Sequence, residues 1–208
     1  MHRLVRIGLI VALLALVGGS VGSVHGVSAQ GQTYTDNMDS SATGLLNSNS
    51  PDPARFIYGY QNSQFIIQST DASWSGDLLA YAGVPVMGDV TAAVDFAIAG
   101  DLTGKYAFVG CRAGDDSNTA YIFEVFPGSG EANLWRFDAD SAANLGKATA
   151  SPAINIGSGN NRIEITCQGG TITGTANGTQ VLTAQDAPIP AAMSSSAPAR
   201  PMPPLTPC

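Results

Sequence analysis

The apolar residues of this chain come in short runs that alternate with polar residues, and this pattern constrains its fold more than any other feature. The runs are rich in Val, Ile, Phe, Tyr and Thr, and Gly, Asn, Asp, Ser and Pro separate them. An apolar period of two is typical of β-strands, and no window offers three turns of helix. We therefore predict an all-β chain. The predicted strands are Phe56–Tyr60, Gln64–Ser69, Leu78–Ala82, Val90–Ile98, Lys105–Arg112, Thr119–Phe126, Ala132–Phe137, Arg162–Cys167, Thr171–Thr175 and Gln180–Ala184.

Two β-hairpins are predicted from their turn residues. The alternating run Tyr121–Phe126 is followed by Pro-Gly-Ser-Gly and a second alternating run, so a glycine-rich loop returns the chain antiparallel. Asn177-Gly178 separates Thr171–Thr175 from Thr179–Leu182, and Asn-Gly supplies the positive φ angles of a type I′ turn. Residues 177–179 also match a glycosylation acceptor, but we favour the turn interpretation, which needs no modification.

The N-terminal segment has the three parts of a secretory signal peptide. Arg3 and Arg6 precede the apolar run Ile7–Val17, and the small residues Val27-Ser28-Ala29 follow it. This order predicts export to the extracellular space with cleavage of residues 1–29 after Ala29. The alternative is a retained N-terminal anchor, which would be the only contact with a membrane.

Cleavage changes the charge and the chemistry of the chain. The formal charge goes from −7 to −9 because two arginines leave, so nucleic acid is not an expected partner. The 179 remaining residues fit one domain, predicted over residues 30–186. His2 and His25 both lie in the signal segment, which excludes imidazole catalysis and His-ligated zinc from the mature chain.

Two cysteines lie at the ends of predicted strands. Cys111 is near the end of one strand and Cys167 ends another, so the two thiols can meet within one sheet or between two. In an oxidising compartment we favour a disulfide over free buried thiols. Cys208 is then left unpaired at the end of the chain.

The carboxylates do not form a catalytic pattern. Sandwich glycosidases place a pair of carboxyl groups in one cleft, whereas Glu124 and Glu164 each stand alone in their strands and are predicted to face solvent. The loop after Arg112 holds Asp115, Asp116 and Asn118, which could bind a structural Ca²⁺. Ordinary turn chemistry is the favoured explanation of that loop. No other cofactor is predicted.

A few aromatic residues are candidates for stacking on sugar rings. Trp74 lies in a polar loop and is the first choice, and Tyr58 and Tyr60 share one face of a strand. Tyr81 and Trp135 are weaker candidates. The competing explanation for each is packing in the core, where most sandwich aromatics lie.

The order of several segments resembles a known family. These segments are Tyr34-Thr35-Asp36-Asn37-Met38-Asp39, Gly59-Tyr60, Phe65-Ile66-Ile67-Gln68, Val94-Asp95-Phe96, Cys111-Arg112, Tyr121, Glu124-Val125, Ala153-Ile154, Gly157, Asn161-Arg162-Ile163, Cys167-Gln168-Gly169 and Asn177-Gly178. In this order they resemble bacterial secreted laminin-G-like (concanavalin-like) jelly-roll domains, related in pattern to the 3-keto-disaccharide hydrolase-like domain of unknown function. The resemblance covers Tyr34 to Asp186. It implies a two-sheet antiparallel β-sandwich of about a dozen strands, with paired cysteines recurring in one bacterial branch.

The chain departs from that family after Asp186. Domains of this kind usually close with a Gly-containing strand and a Phe-Asp-Asn-type strand, whereas Ala187–Cys208 is rich in Pro, Ala and Ser and is predicted to be disordered. A linker or wall-associated extension would explain this, and so would an interrupted reading frame, which we favour. Loss of closing strands would leave an open sheet edge and predicts self-association there.

The expected function is therefore recognition. We predict a secreted, non-catalytic module that binds a glycan or another cell-envelope polymer. A glycoside-hydrolase-like enzyme of the same fold is the first alternative. A structural or adhesive protein without a small ligand is the second.

Overall fold

The described part of the chain forms ten β-strands. The computed structural model describes residues 33–42, 44–47, 52–71, 80, 82–84, 88–113, 119–138 and 141–187, and these ranges contain no helix. No described segment is therefore a helix with the length and hydropathy needed to cross a membrane. The strands are β1 Phe56–Gln61, β2 Gln64–Ser69, β3 Val90–Phe96, β4 Ala107–Cys111, β5 Ala120–Phe126, β6 Glu131–Asp138, β7 Ser141–Ala148, β8 Asn161–Gln168, β9 Thr171–Ala176 and β10 Thr179–Gln185.

Eight of these strands form two four-stranded antiparallel sheets. Sheet 1 has the order β10-β9-β8-β3, and sheet 2 has the order β4-β5-β6-β7. The remaining strands, β1 and β2, pair antiparallel in a two-stranded sheet of their own. The predicted all-β, antiparallel sandwich is confirmed.

The hydrophobic core lies between sheets 1 and 2. On β8, Ile163 and Ile165 are fully buried, while Glu164 between them points outward. Phe123 on β5 is also fully buried, and its ring lies against Gly174 of β9, so that a Cβ at position 174 would overlap the ring. The alternation of the two strands thus places one face of each sheet in a common interior.

A disulfide joins the two sheets. Cys111 at the end of β4 bonds to Cys167 of β8, with 6.5 Å between the Cα atoms and a sequence separation of 56. Both residues are buried, 4% and 0% exposed. The predicted pairing is confirmed, and it crosses the core rather than linking neighbours in one sheet.

The two predicted hairpins are confirmed as well. β5 pairs with β6 across the Pro127–Gly130 loop. β9 pairs with β10 across Asn177-Gly178, whose φ angles are 48° and 79°, as a type I′ turn requires. The Asn177 side-chain amide donates to the carbonyl of Ala153 and to Oδ1 of Asn161, both at 2.8 Å. The turn interpretation of residues 177–179 accounts for that side chain.

The strand pattern differs from the sequence prediction in a few places. β7 was not predicted, because Ser141–Ala148 holds few β-branched or aromatic residues and becomes a strand through its pairing with β6. The predicted strand Val90–Ile98 ends at Phe96, and Lys105–Arg112 shortens to Ala107–Cys111.

The predicted strand Leu78–Ala82 falls largely outside the described residues; Ala82 itself forms an isolated antiparallel bridge with Leu46. At the other end of the domain, the described chain continues through Ala187, and residues 188–208 of the predicted tail lie outside it. The carbonyl of Ala187 accepts a hydrogen bond from the hydroxyl of Tyr121 at 2.8 Å.

Candidate functional site

The outer surface of sheet 2 carries a set of aromatic side chains. Alternation along β5 sets them there: Phe123 and Val125 are fully buried in the core, so Glu124 and Phe126 point to the other side. All the outward aromatic side chains are half-buried. The aromatic face, as we use the term, consists of Tyr106, Phe108, Phe126, Trp135 and Phe137, with Glu124 and Asn133 between them.

Cross-strand register arranges this face in rows. Glu124 of β5 lies opposite Phe108 of β4 on one side and opposite Asn133 of β6 on the other. Asn133 in turn lies opposite Lys147 of β7. A polar row therefore crosses the middle of the sheet and begins at an aromatic ring.

The aromatic rings form two groups, one that includes Phe108 at the end of that row and one beside the row. The ring centroid of Tyr106 lies 5.0 Å from that of Phe126 and 6.3 Å from that of Phe108. The centroids of Trp135 and Phe137 lie 6.4 Å apart with their planes at 45°. These distances are those of interacting aromatic pairs, so each group forms a stable apolar surface.

Glu124 holds the indole of Trp135 in place. The indole Nε1–H donates to Oε2 of Glu124 at 2.8 Å, and Nδ2 of Asn133 donates to the same oxygen at 3.3 Å. Glu124 is half-buried and Asn133 is 9% exposed, so water competes little for these bonds. The partly exposed indole is therefore set in one orientation beside an amide and a carboxylate.

The rim of the face carries a weak ion pair. Nζ of Lys147 lies 3.7 Å from Oε2 of Glu131, and their side chains are 51% and 35% exposed. A pair of this kind contributes little to stability. Lys147 is thus available as a hydrogen-bond donor at the end of the polar row.

This arrangement sets aromatic side chains next to a few fixed polar groups. Small-ligand sites are lined mainly by apolar and aromatic side chains with a small number of placed polar groups. Hydrolysis of a glycosidic bond by the common route needs two carboxyl groups flanking that bond. Within the part of the chain that the structure describes, the face carries two carboxylates: Glu124, whose Oε2 accepts two hydrogen bonds, and Glu131, which is paired with Lys147.

Most of the aromatic face was not predicted from the sequence, although Trp135 was a weaker candidate. Glu124 was correctly expected on an outer face, but its bond to Trp135 was not. The signal that could have identified the face is the run Tyr121–Phe126, which is apolar on both sides apart from Glu124. Such a strand is either covered on both faces or carries an apolar binding surface.

Tyr58 and Tyr60 lie on the β1–β2 hairpin, which is not part of the sheet that carries the aromatic face. Both rings meet Phe65 edge to face, at centroid distances of 5.2 and 4.9 Å, so they share one face as predicted. The Tyr60 hydroxyl donates to Oδ2 of Asp36 and accepts from the amide of Leu46. Tyr60 therefore ties the hairpin to the N-terminal segment.

The pKa values of Asp36 and Tyr60 are shifted in the directions expected for a hydrogen bond between them. Burial raises the pKa of Asp36, but the hydrogen bonds from Tyr60 and from the amides of Leu45 and Met38 outweigh it, so the pKa falls below its ordinary value. Burial and the bond to Asp36 raise the pKa of Tyr60. Ligand contact by Tyr58 and Tyr60 stays a prediction.

The other candidate residues lie outside the described part of the chain. They are Trp74, Tyr81, Asp115, Asp116 and Asn118, and their roles in ligand and calcium binding stay predictions. Among the described residues, no three His, Cys, Asp or Glu side chains are grouped so as to hold a metal ion.

Comparison with known proteins gives one distant structural likeness. No family model matches the chain, and no curated protein matches it. The carbohydrate-binding module CBM66 from Bacillus subtilis is similar with a TM-score of 0.44 and 16% sequence identity. The match covers 52% of this chain and 65% of that module. At this level of similarity the comparison assigns neither a family nor a ligand.

Proposed function

We propose that this chain is an exported, non-catalytic recognition module that binds a glycan or a cell-surface polysaccharide on the aromatic face. The observation that carries the proposal is the bond from Trp135 to Glu124, at 2.8 Å, which fixes a partly exposed indole beside the Asn133 amide. The ligand would lie across the outer surface of sheet 2.

The chemistry of sugars fits this surface. One side of a pyranose ring presents C–H groups that pack on an aromatic ring, and its edge presents hydroxyls. Trp135 and Phe137 offer the apolar contact, while Lys147 offers a donor in the neighbouring row. The acidic chain, with a formal charge of −7, argues against nucleic acid as the ligand.

Export is supported by the disulfide. Cys111 and Cys167 are bonded across the core, and such bonds persist in oxidising compartments outside the cytosol. Together with the predicted cleavage after Ala29, this supports the proposal of an extracellular polymer as the ligand.

The role of Glu124 supports binding without catalysis. A general acid or a nucleophile needs access to the reacting bond, whereas Oε2 of Glu124 is engaged by Trp135 and Asn133. We therefore propose that Glu124 positions Trp135 and does not react.

A polysaccharide panel tests the proposal. Retention on insoluble glycans and mobility in glycan-containing native gels are measured for the wild type, Trp135→Ala and Trp74→Ala. Ile156→Ala is the control, because Ile156 is an apolar side chain, 68% exposed, outside the aromatic face. We expect at least a tenfold loss of affinity, about 1.4 kcal/mol, for Trp135→Ala and no change for the control.

Each other outcome has a definite meaning. Loss only in Trp74→Ala would move the site to the neighbourhood of Trp74, and equal retention of all variants would remove the aromatic face as the site. No binding by the wild type would support the structural or adhesive alternative. Release of sugars from the panel would support the enzyme alternative.

A further inference from the structure

The outer surface of sheet 1, on the opposite side of the sandwich, contains a shallow polar groove. It has a volume of about 310 Å³ and is lined by Arg162, Glu164, Thr175, Gly178 and Gln180. These residues belong to β8, β9, β10 and the turn between the last two. The groove lies on a different sheet from the aromatic face and shares no residue with it.

Along several cross-strand rows of this surface, polar side chains of the described residues hydrogen-bond to one another, and one row is an exception. The hydroxyls of Thr91 and Thr166 are bonded across β3 and β8 at 2.9 Å, and those of Thr173 and Thr183 across β9 and β10 at 3.4 Å. In the outermost row, Nε2 of Gln185 donates to the hydroxyl of Thr171 at 2.8 Å.

The exceptional row crosses the groove. Glu164 lies opposite Thr175, and Thr175 lies opposite Gln180. Within the described part of the chain, the carboxylate, the hydroxyl and the amide of these three residues form no hydrogen bonds, although Glu164 and Thr175 are half-buried. One carboxylate, one hydroxyl and one amide therefore face the groove with unused hydrogen-bonding capacity.

The walls of the groove are fixed. The amide of Arg162 donates to Oδ1 of Asn177 at 2.8 Å, and the amide of Asn177 donates to the carbonyl of Arg162 at the same distance. A β-bulge after Gln180 shifts the register of β10 against β9 beside the groove. A Cβ at Gly178 would meet no atom within 4 Å, which leaves that end open.

The charges of the groove disfavour the binding of both anions and metal cations. The guanidinium of Arg162 is paired with Asp95 at 2.8 Å, so its charge is already compensated, and Glu164 adds a negative charge that repels anions. A metal cation would find a single free carboxylate, fewer oxygen ligands than calcium takes. A neutral ligand with several hydroxyls can donate to Glu164 and accept from Gln180 at once.

We propose that this groove is a second binding site, which takes one neutral sugar unit through its hydroxyls. The inference rests on the proposed function in that it assigns the same ligand class to a second surface. Two sites on opposite faces of the sandwich allow one module to bridge two glycan chains, with avidity greater than that of either site.

The test maps backbone amide shifts by NMR during titration with glucose, galactose, mannose and N-acetylglucosamine. The variants are Glu164→Gln, which keeps the shape of the side chain, and Trp135→Ala on the other face. Thr173→Val is the control, because Thr173 lies on the same surface in a satisfied row. Sodium phosphate and glucuronate serve as anionic probes.

We expect saturable shifts at Thr175, Gly178 and Gln180 with at least one neutral sugar. Glu164→Gln should weaken this binding about tenfold, and Trp135→Ala and Thr173→Val should leave it unchanged. Shifts confined to the aromatic face would keep the proposed function and overturn the second site. Shifts in the groove without shifts on the aromatic face would support the second site and overturn the proposed function. Tighter binding of the anionic probes, or no saturable shift in the groove, would also overturn the second site.

Discussion

Trp135 donates its indole N–H to Glu124 on the neighbouring strand at 2.8 Å, a diagonal contact between β5 and β6 on the outside of the sheet. Because both groups are half-buried, the bond should contribute to stability as well as to the orientation of the indole.

A double-mutant cycle with Glu124→Gln and Trp135→Phe should measure that contribution. We expect a coupling free energy of about 1 kcal/mol from chemical denaturation, because a charged acceptor loses its donor in a partly dry setting. The matched cycle with Glu131→Gln and Lys147→Met probes an exposed pair at 3.7 Å and should give less than about 0.5 kcal/mol. Equal couplings in both cycles would show that Glu124 does not anchor the indole.

Gly174→Ala should destabilise the sandwich, although alanine usually stabilises a strand relative to glycine. The ring of Phe123 occupies the space that a Cβ at position 174 would need, and overpacking a core costs about 1–3 kcal/mol. Gly159→Ala is the control, since a Cβ there would meet nothing within 4 Å. Urea unfolding of both variants decides the matter, and a Gly174→Ala protein as stable as the wild type would contradict the packing described here.

Removal of the disulfide should lower the free energy of unfolding by about 4 kcal/mol. The estimate follows from the chain entropy of a closed loop, here 56 residues long. The variant is Cys111→Ala with Cys167→Ala, made in a Cys208→Ser background to prevent links between chains. Guanidinium unfolding of the Cys208→Ser protein, with and without reductant, provides the comparison. A reduced parent that keeps its full stability would show that the bond adds nothing.

Asp186 should make stability depend on pH in the acid range. Burial raises the pKa of Asp186, but hydrogen bonds from Arg136 and Tyr121 and the charge of Arg136 outweigh it, so the pKa lies below its ordinary value. A lowered folded-state pKa gives a contribution that is present above the unfolded-state pKa of about 3.9 and is lost as the pH falls through the lowered value.

Asp186→Asn should therefore lower stability by about 1–2 kcal/mol at neutral pH and by progressively less as the pH falls below about 3.9. Thermal or urea unfolding of both proteins at several pH values measures the difference. Asp95→Asn is the control, because Asp95 is 71% exposed in its pair with Arg162 and such pairs contribute little. A constant difference between wild type and Asp186→Asn down to pH 2 would rule out the ionic explanation.

Several elements of the fold could be read from the sequence alone. Ile163 and Ile165 alternate with polar residues, and this is enough to predict a strand with one buried face. Asn177-Gly178 has few uses other than a tight turn, and its two positive φ angles agree. These features are local, since they depend on the geometry of neighbouring residues in the chain.

β7 and the aromatic face could not be predicted in this way. Ser141–Ala148 is a strand because β6 offers it a partner, and its own composition gives little sign of that. Phe108, Glu124 and Asn133 come from three strands, and only the register of those strands puts them in one row. The unsatisfied row Glu164–Thr175–Gln180 depends on register in the same way.

The sequence by itself determined that the chain forms short antiparallel strands, where two of its hairpins turn, and which two cysteines could pair. Only the tertiary structure decided which strands are neighbours, that the disulfide crosses between sheets, and which side chains share an outer surface. The physical reason is that a period of two indicates the buried face of a strand but not which strand lies beside it or in what register. Those choices are made by contacts between residues far apart in the chain.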